Sequence, residues 1–115
     1  MSNLRNSVQL IGRLGKDPEI KSFDSGRKMA TFSIATKDVF KNKKGERTEE
    51  TQWHTLVMWG GLVEIASRYL KKGNEVAIEG KLIHRVYETT GGEKRYVTEI
   101  IVNDLVMLSG NNKIK

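Results

Sequence analysis

The chain has no cysteine. Disulfide frameworks, thiolate nucleophiles and Cys-containing zinc sites are excluded, zinc fingers and knuckles among them, and a reducing compartment is compatible. Proline is nearly absent too: Pro18 alone sits in the turn signal Lys16-Asp17-Pro18-Glu19, and neither a linker nor an internal repeat divides the chain. No apolar run is longer than Leu56-Val57-Met58-Trp59, far below the roughly 20 residues that span a bilayer. No membrane partner is expected. Met1 to Asn6 has neither an apolar signal core nor a small-residue cleavage site, which makes the cytoplasm the expected location.

Catalytic motifs are missing as well. Gly73 and Gly80 are too far apart for a phosphate-cradling loop, and Leu82 stands where its hydroxyl belongs. His54 and His84 lie in separate segments without HExxH spacing, and Asp17, Asp24, Asp38 and Asp104 are scattered. These residues read as structural or solvated. No enzyme, metal or cofactor is expected.

What is present is positive charge. Twenty Lys and Arg against fourteen Asp and Glu give the 115-residue chain a formal charge of +6, as expected of a protein that meets polyanions. With 37% apolar residues the composition is that of a folded chain. Its length fits one domain, expected over residues 1–108 with a short flexible tail at 109–115.

Period-two alternation predicts a strand over Ser7–Leu14, with Val8, Leu10, Gly12 and Leu14 on one side. Residues 15–27, with the turn signal Asp24-Ser25-Gly26-Arg27, read as a loop with at most a short strand. Alternation returns over 28–37, where Phe32 and Ile34 face the core. Lys37–Glu50 has five basic and four acidic residues and no period, and reads as a long exposed loop. A third strand, Thr51–Trp59, precedes Leu62, Ile65, Ala66, Tyr69 and Leu70 at helical spacing, closed by Lys71-Lys72 and Gly73. Two long strands follow, Glu75–Glu88 and Arg95–Leu108, joined by a loop at 89–94. Three strands, one helix and two strands match an all-β, five-stranded Greek-key OB-fold barrel with the helix between strands 3 and 4.

In the third strand Trp53, Thr55, Val57 and Trp59 share one face, and His54, Leu56 and Met58 the other. Leu56 and Met58 are the better core pair, which turns the tryptophans outward; the alternative makes the tryptophans core. In the fourth strand Val76, Ile78, Leu82 and Val86 share the core parity, leaving Lys81, Arg85 and Tyr87 together. Phe40 lies among Lys37, Lys41, Lys43 and Lys44, where it either meets a base or folds back onto the barrel. Aromatics interleaved with basic residues describe a stacking platform in a positive groove, as single-stranded nucleic acid requires. The helix offers no set of base-reading side chains for duplex recognition. An RNA-binding or primosomal module, an oligosaccharide-binding domain and an OB-scaffolded phosphodiesterase are the alternative readings of such a surface.

Several segments resemble bacterial single-stranded DNA-binding protein: Val8-Gln9-Leu10-Ile11-Gly12-Arg13-Leu14-Gly15-Lys16-Asp17-Pro18-Glu19, Phe32-Ser33-Ile34-Ala35-Thr36, Thr51-Gln52-Trp53-His54, and Ala66-Ser67-Arg68-Tyr69-Leu70-Lys71-Lys72-Gly73 followed by Ile78-Glu79-Gly80. The resemblance implies an OB-fold homotetramer that coats single-stranded DNA in replication, recombination and repair without catalysis. It implies base stacking on Phe40, Trp53, Trp59 and Tyr87, with the ring type differing from many relatives at all but Trp53. It also implies an assembly role for His54. Phosphate contacts are expected from Arg13, Lys37, Lys41, Lys43, Lys44, Lys81, Arg85 and Arg95. Relatives commonly carry a long tail whose acidic tip recruits replication and repair proteins; these 115 residues end at Asn111-Asn112-Lys113-Ile114-Lys115 without such a tip.

Overall fold

A computed structural model describes residues 4–108, so the tail expected at 109–115 lies outside the described residues. In chain order the elements are β1 (Val8–Leu14), β2 (Glu19–Ser22), β3 (Lys28–Lys41), β4 (Arg47–Trp59), α1 (Gly61–Tyr69), β5 (Glu75–Glu88) and β6 (Lys94–Met107). The sheet runs β1-β5-β6-β4-β3-β2 and curls until β1 also pairs with β3 at Arg13↔Ala35 and Leu14↔Ile34. That contact closes a five-stranded barrel, with β2 as a short, fully exposed addition to the edge of β3. Strands β4 and β6 meet in parallel at Leu56↔Ile100 and Val57↔Ile101. The other pairings are antiparallel.

The interior is filled as alternation demands. Leu14, Phe32, Ile34, Leu56, Met58, Val76 and Ile78 are buried together, with Ile100, Val102 and Met107 from β6. Helix α1 presses Val63, Ala66 and, just beyond its end, Leu70 into this cluster. Its stop is local chemistry: the Leu70 amide donates to the Ala66 carbonyl at 3.2 Å, and Asn74 Oδ1 accepts the Lys71 amide at 2.7 Å.

Three hairpins share one loop design. In each, the first residue's amide donates to the carbonyl four positions on, and a glycine three positions on donates back: Phe23/Gly26/Arg27, Asn42/Gly45/Glu46 and Thr89/Gly92/Glu93. The glycines have φ of 88°, 80° and 83°, the left-handed region in which a side chain is strained, as in a three-residue loop ending in a glycine bulge.

The long loop expected at Lys37–Glu50 is not present. Strand β3 continues to Lys41 and β4 begins at Arg47, leaving only the turn at 42–46. Asn42 closes it, its Oδ1 accepting the amides of Lys44 at 2.9 Å and Glu46 at 3.0 Å, an Asx arrangement. Alternation was invisible because both faces of this ribbon meet solvent, so its residues need not alternate in polarity. A second departure is Val86, which shares the parity of Ile78 but is 54% exposed, because beyond Leu82 the β5–β6 hairpin projects past the core. The helix lies between the fourth and fifth strands because β2 is counted.

The ladder of β5 and β6 shifts register between Glu79↔Asp104 and Gly80↔Val102, so Asn103 is left without an opposite residue. At this bulge a Cβ on Gly80 would run into the Ile101 carbonyl. Backbone cannot yield as a flexible side chain does. Gly80→Ala is therefore expected to lower stability by about 1–3 kcal/mol, measured as a reduced midpoint in urea denaturation; an unchanged midpoint would mean that the two strands separate freely here.

Candidate nucleic-acid interface

Leu56 and Met58 occupy the barrel interior, and the outward face of β4 carries Trp53, Thr55, Val57 and Trp59. Their opposite residues on β3 are Ala35, Ser33, Thr31 and Met29, and the small Ala35 leaves the Trp53 ring uncovered from that side. Trp53 is 61% exposed. It lies against Gly15, where a Cβ would stand 2.6 Å from the indole, so the β1–β2 turn must be bare at that point. Trp59 is half-buried. A Phe23 ring stacks on it at 5.8 Å and 26°, and the Arg27 guanidinium carbon lies 4.5 Å from its centroid.

The outward face continues onto β5 and β6. Tyr87, Arg85, Ile83 and Lys81 lie opposite Arg95, Val97, Glu99 and Ile101. A groove of about 580 Å³ results, whose lining includes Phe23, Met29, Trp59, Ile83, Arg85 and Glu99. Glu99 is the buried acid of this surface, 7% exposed. Arg85 answers it with two parallel hydrogen bonds, Nε to Oε1 at 2.8 Å and Nη2 to Oε2 at 3.1 Å. These bonds and the carboxylate charge hold the Arg85 guanidinium above its ordinary pKa. The same guanidinium sits 5.8 Å from the Tyr87 ring, within cation–π range.

The residues singled out from sequence separate into groups. Trp53, Trp59, Lys81, Arg85, Tyr87 and Arg95 share the outward face, with Lys37 and Lys41 continuing it along β3 opposite Thr51 and Arg47. Phe40 is 45% exposed, but it lies opposite Thr48 in the register of Phe32 and Ile34, on the other face of the ribbon. Lys43 and Lys44 occupy the turn at its tip. Arg13 donates to the Gly73 carbonyl at 3.0 Å, and Arg95 pairs with Glu93 at 3.2 Å. Both histidines are engaged by threonine: His54 Nε2 and Thr36 Oγ1 are 3.0 Å apart, His84 Nδ1 and Thr98 Oγ1 2.9 Å. Among the described residues no three His, Cys, Asp or Glu gather to hold a metal, and no helix is long and apolar enough to cross a membrane.

Phe23, Arg27, Lys21 and Gly15 were not legible as part of this surface. The signal for the first two was Phe23-Asp24-Ser25-Gly26-Arg27 itself: a three-residue loop ending in glycine puts the flanking residues opposite each other and so on one face.

Comparison with known proteins agrees with this architecture. The Single-strand binding protein family matches residues 5–108. The single-stranded DNA-binding protein of Neisseria meningitidis serogroup A is 42% identical over 108 residues, covering 94% of this chain and 62% of its own. Single-stranded DNA-binding protein 1 of Chlorobaculum tepidum is 44% identical over 108 residues, covering 93% and 67%. The chain thus spans about 62% of the Neisseria relative's length. Among solved structures, the Plasmodium falciparum SSB in complex with ssDNA superposes with a TM-score of 0.83 at 36% identity, over 90% of this chain and 95% of that one. A deletion variant of the Thermus aquaticus single-stranded DNA binding protein gives 0.80 at 26% identity, over 94% and 52%.

Removing Arg85 would strand the Glu99 carboxylate in the groove floor without its fork of donors. Arg85→Ala is expected to destabilise the fold by about 1–3 kcal/mol, and Arg85→Lys to recover only part of this because one ammonium cannot match the bidentate geometry. Urea denaturation of the two variants checks the order; equal stability of all three proteins would mean that Glu99 finds water instead.

Proposed function

The chain belongs to the single-strand binding protein family, and from that premise we propose that it coats single-stranded DNA, without catalysis and with little regard to sequence, in replication, recombination and repair. The observation that carries this reading is the outward face of β4, where Trp53 stands 61% exposed on the same side of the barrel as Trp59, Lys81, Arg85 and Tyr87. Large aromatics left open beside basic groups cost burial that the core would have rewarded. A ligand with π-faces and phosphates recovers it, at roughly 1–3 kcal/mol per stacked base. The bases stack on Trp53, on Tyr87 and at the Trp59 position, where Phe23 overlies the indole, with Phe40 meeting the strand at the far end of the β3–β4 ribbon. Lys37, Lys41, Lys43, Lys44 and Lys81 meet phosphates; Arg13, Arg85 and Arg95 do so only by giving up or sharing the partners they now hold. The cytoplasm is the proposed compartment.

A different surface supports assembly. Val8–Gly12 of β1 pair with β5 on one edge, while contact with β3 begins only at Arg13, so an open strand edge is presented. Beside it is a hollow of about 520 Å³ lined by Leu10, Ile11, Ala77, Ile78, Leu105 and Val106 among others. Ile11 and Val106 are 59% and 49% exposed. An open edge flanked by apolar side chains invites another strand. Further copies of this chain are the proposed occupants, as a homotetramer, with His54 supporting assembly. Replication and repair proteins are further proposed partners.

Binding is tested by titrating oligo(dT) and duplex DNA at two salt concentrations. Tight, salt-sensitive binding to the single strand with little duplex affinity is expected. Trp53→Ala should weaken it by about 1–3 kcal/mol while thermal stability stays nearly intact; salt-independent binding, or equal affinity for duplex, overturns the reading. For assembly, light scattering is expected to give a mass about four times the 13.0 kDa of one chain, reduced in His54→Tyr by overpacking of a half-buried strand position. A monomer at micromolar concentration would refute it.

A further inference from the structure

Trp59 offers less of its ring to a ligand than its place on the groove suggests. The Phe23 amide donates to the Arg27 carbonyl at 2.8 Å, and residues so paired in an antiparallel ladder project from one face. Two positions further along β3, Met29 lies opposite Trp59. The β2–β3 turn therefore overhangs the indole, and both of its flanking side chains touch it: Phe23 as a stacked ring at 5.8 Å, Arg27 as a cation 4.5 Å from the centroid. An indole has two faces. With an aromatic ring and a guanidinium against it, part of its π-surface is already engaged, in keeping with the half-burial of Trp59 beside the open Trp53. Phe23 lines the groove beside Trp59 and is the more open of the two, 44% exposed.

We propose that Phe23 is itself a base-stacking residue, and that Trp59 and Arg27 are its backing. A nucleobase lies on the open face of Phe23 and extends the Phe23–Trp59 pair; it does not lie on Trp59. The inference rests on the reading of the chain as a binder of single-stranded DNA. Its physical advantage is preorganisation. The turn is fixed by the Gly26 amide, which donates to the Phe23 carbonyl at 2.9 Å, and by the left-handed Gly26, φ 88°, so the ring loses little freedom when a base arrives.

The test uses the full chain with Trp53→Phe, in which Trp59 is the sole tryptophan, titrated with oligo(dT) and followed both by Trp59 fluorescence and by the anisotropy of a labelled oligonucleotide. The parent variant is expected to bind with little Trp59 quenching. Phe23→Leu keeps the indole covered but has no π-face, and should bind about 5- to 150-fold more weakly; Phe23→Tyr should restore the affinity. Phe23→Ala uncovers the indole, so a base takes the vacated place and strong quenching emerges. Thermal melting of each variant reports folding separately. Unchanged affinity in Phe23→Leu, or strong Trp59 quenching while Phe23 is present, overturns the proposal. Failure of the unsubstituted chain to bind oligo(dT) overturns the functional reading and this inference with it.

Discussion

Leu56 and Met58 are wholly buried in the barrel, and since successive side chains of a strand point to opposite faces, their burial obliges Trp53, Thr55, Val57 and Trp59 to point outward. Much of the surface follows from this constraint. Strand β3 must present Met29, Thr31, Ser33 and Ala35 opposite these residues, and Gly15 must be without a side chain for Trp53 to lie against the turn. The parallel contact of Val57 with Ile101 extends the same face onto β6 and, through the β5–β6 ladder, to Ile83, Arg85 and Tyr87. A core choice at two positions thus organises an aromatic surface across four strands.

Charge is distributed over that surface in a way the net value of +6 does not reveal. The groove floor contains Glu99, an acid buried in the middle of a basic protein, and Arg85 is committed to it. The floor is consequently a neutralised pair among rings and aliphatic side chains. Among the described residues Lys21, Lys37 and Lys81 have no ion-pair partner. An arrangement with a neutralised pair in the floor and unpaired lysines around it separates stacking from phosphate neutralisation, the two terms by which single strands are held.

The long ribbons depend on turns more than on packing. Beyond the barrel, β3–β4 and β5–β6 have no buried face, and their order rests on backbone ladders closed by the glycine loops at 42–46 and 89–93. Such segments open more readily than core strands. They carry Phe40 and Tyr87, whereas Trp53 and Trp59 sit on β4 beside the core, and Trp59 is in addition held by Phe23 and Arg27.

The residues by themselves marked the succession of five strands and the helix, and favoured the outward facing of Trp53 and Trp59, because each depends on local rules: period two in a half-buried strand, period 3.6 in the helix, and glycine where φ is positive. They were silent where both faces of a strand meet water, which is why β3 and β4 extend through Lys37–Glu50 without any alternation to mark them. Tertiary structure alone decided the bulge at Asn103, the exposure of Val86, the union of Arg85 with Glu99 and the covering of Trp59 by Phe23 and Arg27. Each of these joins residues on different strands or turns on where the barrel ends, and no local pattern records which register the ladders adopt. Register is set by the closing of the whole sheet, in which a shift of one residue moves every side chain of a strand to the other face.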